Sequence, residues 1–112
     1  MLKKSLSEVP LEDVNIEGAE KIKVQWLFSP KDNVPNFSFR IFHLEPGGCS
    51  PRHTHDWEHE VLILEGEGEV FANGEYKSFK KGDVFFIPGG EEHQFISKTS
   101  GKFICLIPNS GC

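Results

Sequence analysis

The sequence has few of the features that mark secreted or membrane proteins. Its three cysteines, Cys49, Cys105 and Cys112, are an odd number with no paired spacing. This argues against a disulfide framework and favours a reducing compartment, so we expect a cytoplasmic location. No apolar run approaches the roughly 18 residues that a membrane-spanning helix needs, and the N-terminus lacks the apolar segment of a signal peptide. Neither membrane insertion nor secretion is expected.

Positive charge and methionine are also scarce. Twelve Lys and Arg residues stand against 17 Asp and Glu residues, which gives a formal net charge of −5. Nucleic acid is therefore not expected as a partner, because phosphate binding needs clustered positive charge. The single methionine contrasts with 10 phenylalanines, 11 glycines and 7 prolines, a mixture that favours short strands and turns over a helical bundle. A chain of 112 residues is expected to form one domain.

The pattern along the chain predicts a polar arm followed by a β domain. Residues 1–20 are weakly patterned and are predicted as an N-terminal arm with a short strand over residues 2–6, and residues 21–112 are predicted as the domain. Apolar alternation bounded by Gly, Pro and Asn predicts short strands in the domain. These strands are 21–28, 37–44, 52–55, 59–65, 67–72, 75–80, 83–87, 93–97 and 102–107. Asn73-Gly74 predicts a type I′ hairpin, and Glu45-Pro-Gly-Gly predicts a turn.

Four of the five histidines fall in two short segments. His53 and His55 are two residues apart, a spacing that points both side chains to one face of a strand. His59 comes directly before an apolar strand, and His93 begins another. A histidine that enters a core must satisfy both ring nitrogens with hydrogen bonds or with a metal. The four histidines are therefore candidate metal ligands, whereas His43 stands apart.

Two motifs resemble those of the cupin family, and within it the small single-domain bacterial cupins. The first covers residues 47–66, GGCSPRHTHDWEHEVLILEG, and the second covers residues 82–97, GDVFFIPGGEEHQFIS. Only the last position of the second motif departs from the family pattern, where Ser97 replaces the usual Asn. The resemblance extends over residues 36–107. It implies an all-β fold, the cupin double-stranded β-helix, which is a conical antiparallel β-barrel or jelly roll.

The resemblance implies a metal site with His53, His55 and His93 as ligands and a third ligand in the first motif. That ligand is usually glutamate, and here it is His59 or Glu60. His59 leaves six residues before Gly66, as the motif requires, and Glu60 leaves five, so the spacing favours His59. The four-histidine type of site is then expected to hold one divalent transition metal ion per chain. Mn or Fe is the first expectation, with Zn, Ni or Cu as alternatives.

The resemblance also implies the class of function, although whether the chain is an enzyme stays open. The first interpretation is a metal-dependent oxidoreductase of the oxygenase or oxidative-cleavage type, acting on a small, largely apolar or aromatic substrate. One alternative is a non-catalytic cupin that binds or senses a small ligand around a structural metal, and a minor one is a sugar or sugar-phosphate isomerase. A fold alone does not choose among them. A homodimer is expected.

Strand alternation suggests which side chains line the barrel cavity. The candidates are Phe39, Phe95, Phe103, Cys105 and Trp57. The same phenylalanines are also what the core of a small β domain needs. Arg40 has the opposite parity to Phe39, and it is expected either to steer an anion or to form a surface ion pair.

Overall fold

The computed structural model describes residues 1–111, and it is built almost entirely of antiparallel strands. The strands are β1 (Glu12–Asp13), β2 (Glu20–Phe28), β3 (Phe37–Cys49), β4 (His59–Glu65), β5 (Glu67–Ala72), β6 (Glu75–Lys80), β7 (Val84–Ile87), β8 (His93–Ser97) and β9 (Gly101–Pro108). Short 3-10 helices occupy Leu6–Glu8, Pro30–Asp32 and Asn109–Gly111. None of the helices within residues 1–111 is long and apolar enough to cross a membrane.

The strands form one curled sheet in the order β6-β5-β8-β3-β9-β4-β7. β2 pairs with β3 beside this path, and β1 pairs with β2. Strands that are distant in the chain therefore become neighbours, as in the pairing of β3 with β9 and of β5 with β8. The curled antiparallel sheet confirms the predicted all-β fold.

Several elements have the bounds predicted from the sequence. β4, β5, β6 and β8 begin and end at the predicted residues. The hairpin between β5 and β6 has Asn73 at φ 51° and Gly74 at φ 77°. Two consecutive positive φ angles are what a type I′ turn requires, and Asn and Gly tolerate them best.

Two predicted strands are wrong. Residues 52–55 form a loop that touches the sheet through a single bridge between His53 and His93. Pro51 precedes this loop and has no amide hydrogen for a strand ladder. Residues 2–6 form no strand either, and the arm instead holds the helix Leu6–Glu8 and the strand β1. The Gln25 side chain donates to the carbonyls of Leu6 and Val9, at 3.1 and 3.0 Å, and so fixes the helical turn of the arm.

The segment Glu45-Pro-Gly-Gly was predicted as a turn, but it lies within β3. The pairing with β2 passes from Ile22 opposite Leu44 to Glu20 opposite Cys49, so the intervening residues of β3 bulge out of the ladder. Gly47 lies in this bulge with φ at 81°. The Pro-Gly-Gly sequence, which predicts a turn, here forms a bulge that bends the long strand β3.

Apolar side chains collect on both faces of the sheet. The larger cluster fills the interior of the barrel, and it includes Val61, Ile63, Phe95, Phe103 and Cys105. A smaller cluster on the other face packs the arm against the sheet. Its members are Val9, Leu27 and Ile41, together with the partly buried Phe28, Phe39, Leu64 and Ile104.

Candidate metal centre

The register of three neighbouring strands decides which side chains face the barrel interior. Arg40 of β3 lies opposite Cys105 of β9, and Cys105 lies opposite Val61 of β4. Directly paired residues project from the same face of a sheet. Arg40, Cys105 and Val61 therefore share the inner face, whereas Glu60, which pairs with Leu106, belongs to the outer face.

Four histidine rings meet on the inner face. The ligand atoms of His53, His55 and His93 lie within 4.8 Å of one another. The ring centroid of His53 is 4.1 Å from that of His55 and 5.1 Å from that of His93. The ring of His59 adjoins this group, at 4.8 Å from His55 and 4.7 Å from His93. The four rings are thus neighbours, although they come from a loop, from β4 and from β8, and the group of ligand atoms within 4.8 Å of one another holds three of them, without His59.

The two candidates for the third ligand lie on opposite sides of the sheet. His59 is 7% exposed and belongs to the ring cluster. Glu60 is exposed, and it borders a groove on the outer face beside Val84 and Phe86. The structure therefore places an imidazole, and not the neighbouring carboxylate, beside the other three histidines.

Hydrogen bonds occupy one nitrogen of two of these rings. Nδ1 of His93 lies 2.8 Å from the carbonyl oxygen of Glu91, to which it donates, so Nε2 of His93 carries the lone pair. Nδ1 of His59 lies 3.1 Å from Sγ of Cys105, and Nε2 of His59 is buried without a hydrogen-bond partner. A buried polar atom without a partner costs on the order of 1–3 kcal/mol. A metal ion bound by His59 Nε2 would remove this cost.

Burial favours the neutral form of His53, His55 and His59, which is the form that binds metal, because it lowers the pKa of each of these rings. Burial lowers the pKa of His53 to about 4, with a further contribution from the charge of His55. Burial also lowers the pKa of His59 to about 3, with His93 and Arg40 adding to the effect. Neutral imidazoles suit Fe, Ni, Cu and Zn. The burial, the free nitrogens and the chemistry of the donors therefore fit a divalent transition metal ion.

Arg40 and Cys105 form a polar pair next to the cluster. Nη2 of Arg40 donates to Sγ of Cys105 at 3.1 Å. The guanidinium carbon lies 5.2 Å from the ring centroid of Trp26 and 4.8 Å from that of Phe42. Burial raises the pKa of the Cys105 thiol, although the charge of Arg40 opposes this, so the sulfur is present as a neutral thiol. The sulfur thus links Arg40 to His59.

The cluster lies in the wall of a cavity of about 410 Å³. The apolar lining consists of Val14, Ile16, Trp26, Phe42, Pro51, Trp57, Phe95, Phe103 and Ile107. The polar lining consists of the four clustered histidines, Arg40, Ser50 and Cys105. Within residues 1–111, no Asp or Glu lines this cavity. A mostly apolar cavity of this size with a few convergent polar groups is typical of sites for small organic molecules.

The predicted lining differs from the observed one at β3. Trp57, Phe95, Phe103 and Cys105 line the cavity, and Trp57 also stacks on His55 with 4.3 Å between ring centroids. Phe39 lies outside it, in the cluster that packs the arm against the sheet, which corrects the expectation for this residue. The physical reason is the register with β9, which places Arg40 opposite Cys105 on the inner face. Because side chains alternate along a strand, Phe39 projects from the outer face.

Seven residues of the lining were not predicted from the sequence, and the orientation of Arg40 was left open. Phe42 and Trp26 were not among the candidates, and Arg40 was expected either to steer an anion or to form a surface ion pair. The pairing of Phe42 with Phe103 places it inside, 5.2 Å from that ring. One sequence feature could have predicted this. Apolar residues occur at both odd and even positions of β3, which indicates that both faces of the strand are covered.

Comparison with known proteins identifies the family. The profile of the Cupin domain family matches residues 40–107, and the chain belongs to this family. The predicted resemblance is thereby confirmed, and the curled antiparallel sheet is the cupin barrel.

Two solved structures and one curated relative illustrate the similarity. The polyketide cyclase RemF from Streptomyces resistomycificus superposes with a TM-score of 0.90 at 29% identity, over 97% of this chain and 80% of that one. A predicted oxalate decarboxylase from Thermotoga maritima gives a TM-score of 0.82 at 31% identity, over 96% of this chain and 98% of that one. The 1-methylthio-D-xylulose 5-phosphate methylsulfurylase of Rhodospirillum rubrum is 31% identical over 61% of this chain. The match spans 45% of the length of that relative.

Proposed function

We propose that this chain is a metal-dependent enzyme of the oxidoreductase type that acts on a small, largely apolar or aromatic organic substrate. In this proposal His53, His55, His59 and His93 hold one divalent transition metal ion, and the cavity holds the substrate. The observation that carries the proposal is the convergence of four imidazoles in the wall of an apolar cavity, where His55 and His59 each have a buried nitrogen that lacks a partner. The expected homodimer and cytoplasmic location stay predictions.

The residues around the cluster orient the ligands. The carbonyl of Glu91 holds His93 by Nδ1, and the thiol of Cys105 holds His59 by the same ring atom. Each contact leaves Nε2 available to the ion. When bound, a divalent ion supplies Lewis acidity and, if it is redox-active, electron exchange with dioxygen. Four neutral ligands bring no negative charge that would weaken the Lewis acidity.

The lining of the cavity favours chemistry at the ion. Aromatic walls from Phe95, Phe103 and Trp57 offer contact area to a flat apolar molecule and keep water away from it. Because no carboxylate from residues 1–111 lines the cavity, the residues there offer no Asp or Glu as a general base. A sugar isomerase that relies on such a base is less well supported than a metal-centred reaction.

The similarity to the Streptomyces polyketide cyclase supports a second candidate. In that case the chain assists ring closure of a small carbonyl-rich substrate through Lewis acidity alone, without redox chemistry. The two candidates make different demands on the metal. Zn²⁺ has no redox chemistry, so it can support the second reaction but not the first.

The first experiment measures the metal content of the untagged protein by elemental analysis after loading with Mn²⁺, Fe²⁺, Co²⁺ or Zn²⁺. We expect about one ion per chain in the wild type and in Glu60→Ala, and clear loss in His59→Ala. Glu60→Ala is a matched control because its side chain lies next to His59 in the chain but on the outer face. Loss in Glu60→Ala alone would overturn the four-histidine site, and absence of metal from the wild type under every loading would overturn the enzyme proposal.

The second experiment separates the two reactions. Oxygen uptake by the Mn²⁺, Fe²⁺ and Zn²⁺ forms is followed with a panel of small aromatic and small carbonyl-rich substrates, and the products are analysed by mass spectrometry. Uptake with Mn²⁺ or Fe²⁺ but not with Zn²⁺ supports the oxidoreductase. Product formation without oxygen uptake in the Zn²⁺ form supports ring closure instead.

A further inference from the structure

Arg40 is an unusual residue for the cavity in which it lies. The chain carries a net charge of −5, yet within residues 1–111 Arg40 is the one Lys or Arg side chain that lines the cavity, and no Asp or Glu joins it there. No ion pair among the described residues connects Arg40 to a carboxylate. Its positive charge is therefore without a counter-ion inside a mostly apolar site.

The donors of Arg40 are only partly used. Nη2 donates to Sγ of Cys105, a weak acceptor, at 3.1 Å. Nε is buried and has no hydrogen-bond partner. The rings of Trp26 and Phe42 flank the guanidinium and stabilise its charge, but they accept no conventional hydrogen bond. A buried donor of a charged group without an acceptor is costly, and an acceptor on a bound molecule would remove this cost.

The other arginine shows what an ordinary surface pair looks like in this chain. Nε of Arg52 lies 3.3 Å from a carboxylate oxygen of Glu92, and its guanidinium stacks 3.6 Å from the centroid of Phe71. Arg52 thus has both an aromatic contact and a carboxylate partner, and its side chain is 46% exposed. Arg40 has the aromatic contacts without the carboxylate. An anionic oxygen of a bound molecule would give Arg40 the partner that Glu92 gives Arg52.

We propose that the molecule bound in this cavity is an organic anion, whose carboxylate or other anionic oxygen accepts hydrogen bonds from Arg40 while its apolar or aromatic body packs on Phe42 and Phe103. The inference rests on the proposed function in taking this cavity as the substrate site. This inference narrows the substrate class from small apolar molecules to small organic anions that have an apolar or aromatic body. Arg40 then fixes the orientation of the substrate beside the histidine cluster, because a guanidinium binds a carboxylate with two parallel hydrogen bonds.

The test uses benzoate and benzamide as probes, since the two have nearly the same shape but only benzoate is charged. Binding to the full metal-free chain is measured by isothermal titration calorimetry. We expect the wild type to bind benzoate about tenfold or more tightly than benzamide, which is the range of a charge-assisted hydrogen bond. We expect Arg40→Gln to lose this preference and Arg40→Lys to keep part of it. Arg52→Gln is the matched control, and it should retain the wild-type preference.

The outcomes are distinct. Equal binding of the two probes by the wild type, no binding of benzoate at millimolar concentration, or an unchanged preference in Arg40→Gln would each overturn the inference. Circular dichroism and thermal melts verify the fold of each variant, and Arg40→Lys provides the comparison if Arg40→Gln does not fold. Because the preference is measured without metal, it is independent of the loading experiment. Failure of Co²⁺ to bind would overturn the metal proposal while leaving the anion preference as a separate result.

Discussion

Cys105 offers a sharp test of how the histidine cluster is organised. Its sulfur lies 3.1 Å from Nδ1 of His59, on a side chain that is 2% exposed. In the tautomer that suits a metal ligand, Nδ1 of His59 donates to this sulfur and Nε2 keeps its lone pair. Cys105→Val keeps an apolar side chain of similar size but removes the acceptor. The other tautomer, with the proton on Nε2, is then no longer disfavoured.

The size of the effect follows from the burial of His59. Because the ring is 7% exposed, water has little access to Nδ1 to replace the lost acceptor. Loss of a partner that orients a metal-binding histidine costs about tenfold to hundredfold in affinity, or roughly 1.4–2.8 kcal/mol. We therefore expect Cys105→Val to weaken Co²⁺ binding by this factor. Cys105→Ser keeps an acceptor at the same position, and its affinity should stay within a few-fold of the wild type.

The assay is competition between the protein and a chelating indicator for Co²⁺, with the visible absorption of bound Co²⁺ as a second readout of the coordination. Urea denaturation of the metal-free variants separates a loss of stability from a loss of affinity. Cys49→Val is the control, since the Cys49 thiol donates to the carbonyl of Gly18 at 3.4 Å and does not line the cavity. Wild-type affinity in Cys105→Val, or equal losses in the Ser and Val variants, would refute the orienting role of the sulfur.

Three further predictions concern the fold. Ile63 is 1% exposed in the barrel core, so Ile63→Ala should lower the free energy of unfolding by about 2–5 kcal/mol in urea denaturation, and a loss below about 1 kcal/mol would contradict this packing. Gly66 and Gly82 both have φ at 91°, but of these two positions an added Cβ would meet backbone atoms only at Gly66. Gly66→Ala should therefore lower the melting temperature more than Gly82→Ala. The reverse order would refute the argument. Burial, with help from the charge of Lys102, lowers the pKa of His43 below its ordinary value of 6.5. The unfolded chain therefore binds more protons at this residue than the folded chain, and stability should fall as the pH drops below about 6.5. The free energy of unfolding of His43→Gln, measured by urea denaturation between about pH 5 and pH 7, should therefore depend less steeply on pH than that of the wild type. An unchanged pH dependence would show that His43 does not contribute.

The sequence predicts regular strands better than it predicts which face of a strand is inside. β4 and β5 have the predicted bounds because their apolar residues end at glycine or at Asn-Gly signals. In β3, however, apolar residues occur at both parities, because one face lines the barrel and the other covers the arm. Alternation therefore cannot assign Phe39 and Arg40 to their faces. The pairing of Arg40 with Cys105 does so, and this contact joins residues far apart in the chain.

The same ambiguity affects the choice between His59 and Glu60. The residues that follow in β4 are apolar at both parities, so the strand pattern does not favour either side chain as the inward one. The count of residues to Gly66 carries the information instead, because it measures the position of the ligand relative to a turn. The structure places His59 inside, in agreement with that count. Motif spacing was therefore a better guide than periodicity to which of the two side chains faces inward, and His59 as a metal ligand stays a prediction.

The cluster is held in place by the backbone as well as by side chains. His53 and His55 come from a loop, but the amides and carbonyls of His53 and His93 bond to each other at 3.1 and 3.2 Å, and the amide of Gly90 donates to the carbonyl of His55 at 2.7 Å. His59 and His93 begin strands whose register is fixed by many other pairs. Metal binding therefore does not need to fold this loop, unlike the binding of zinc to a zinc finger. Little of the free energy of metal binding is then spent on ordering the loop. Changes at single side chains such as Cys105 should therefore appear directly in the metal affinity.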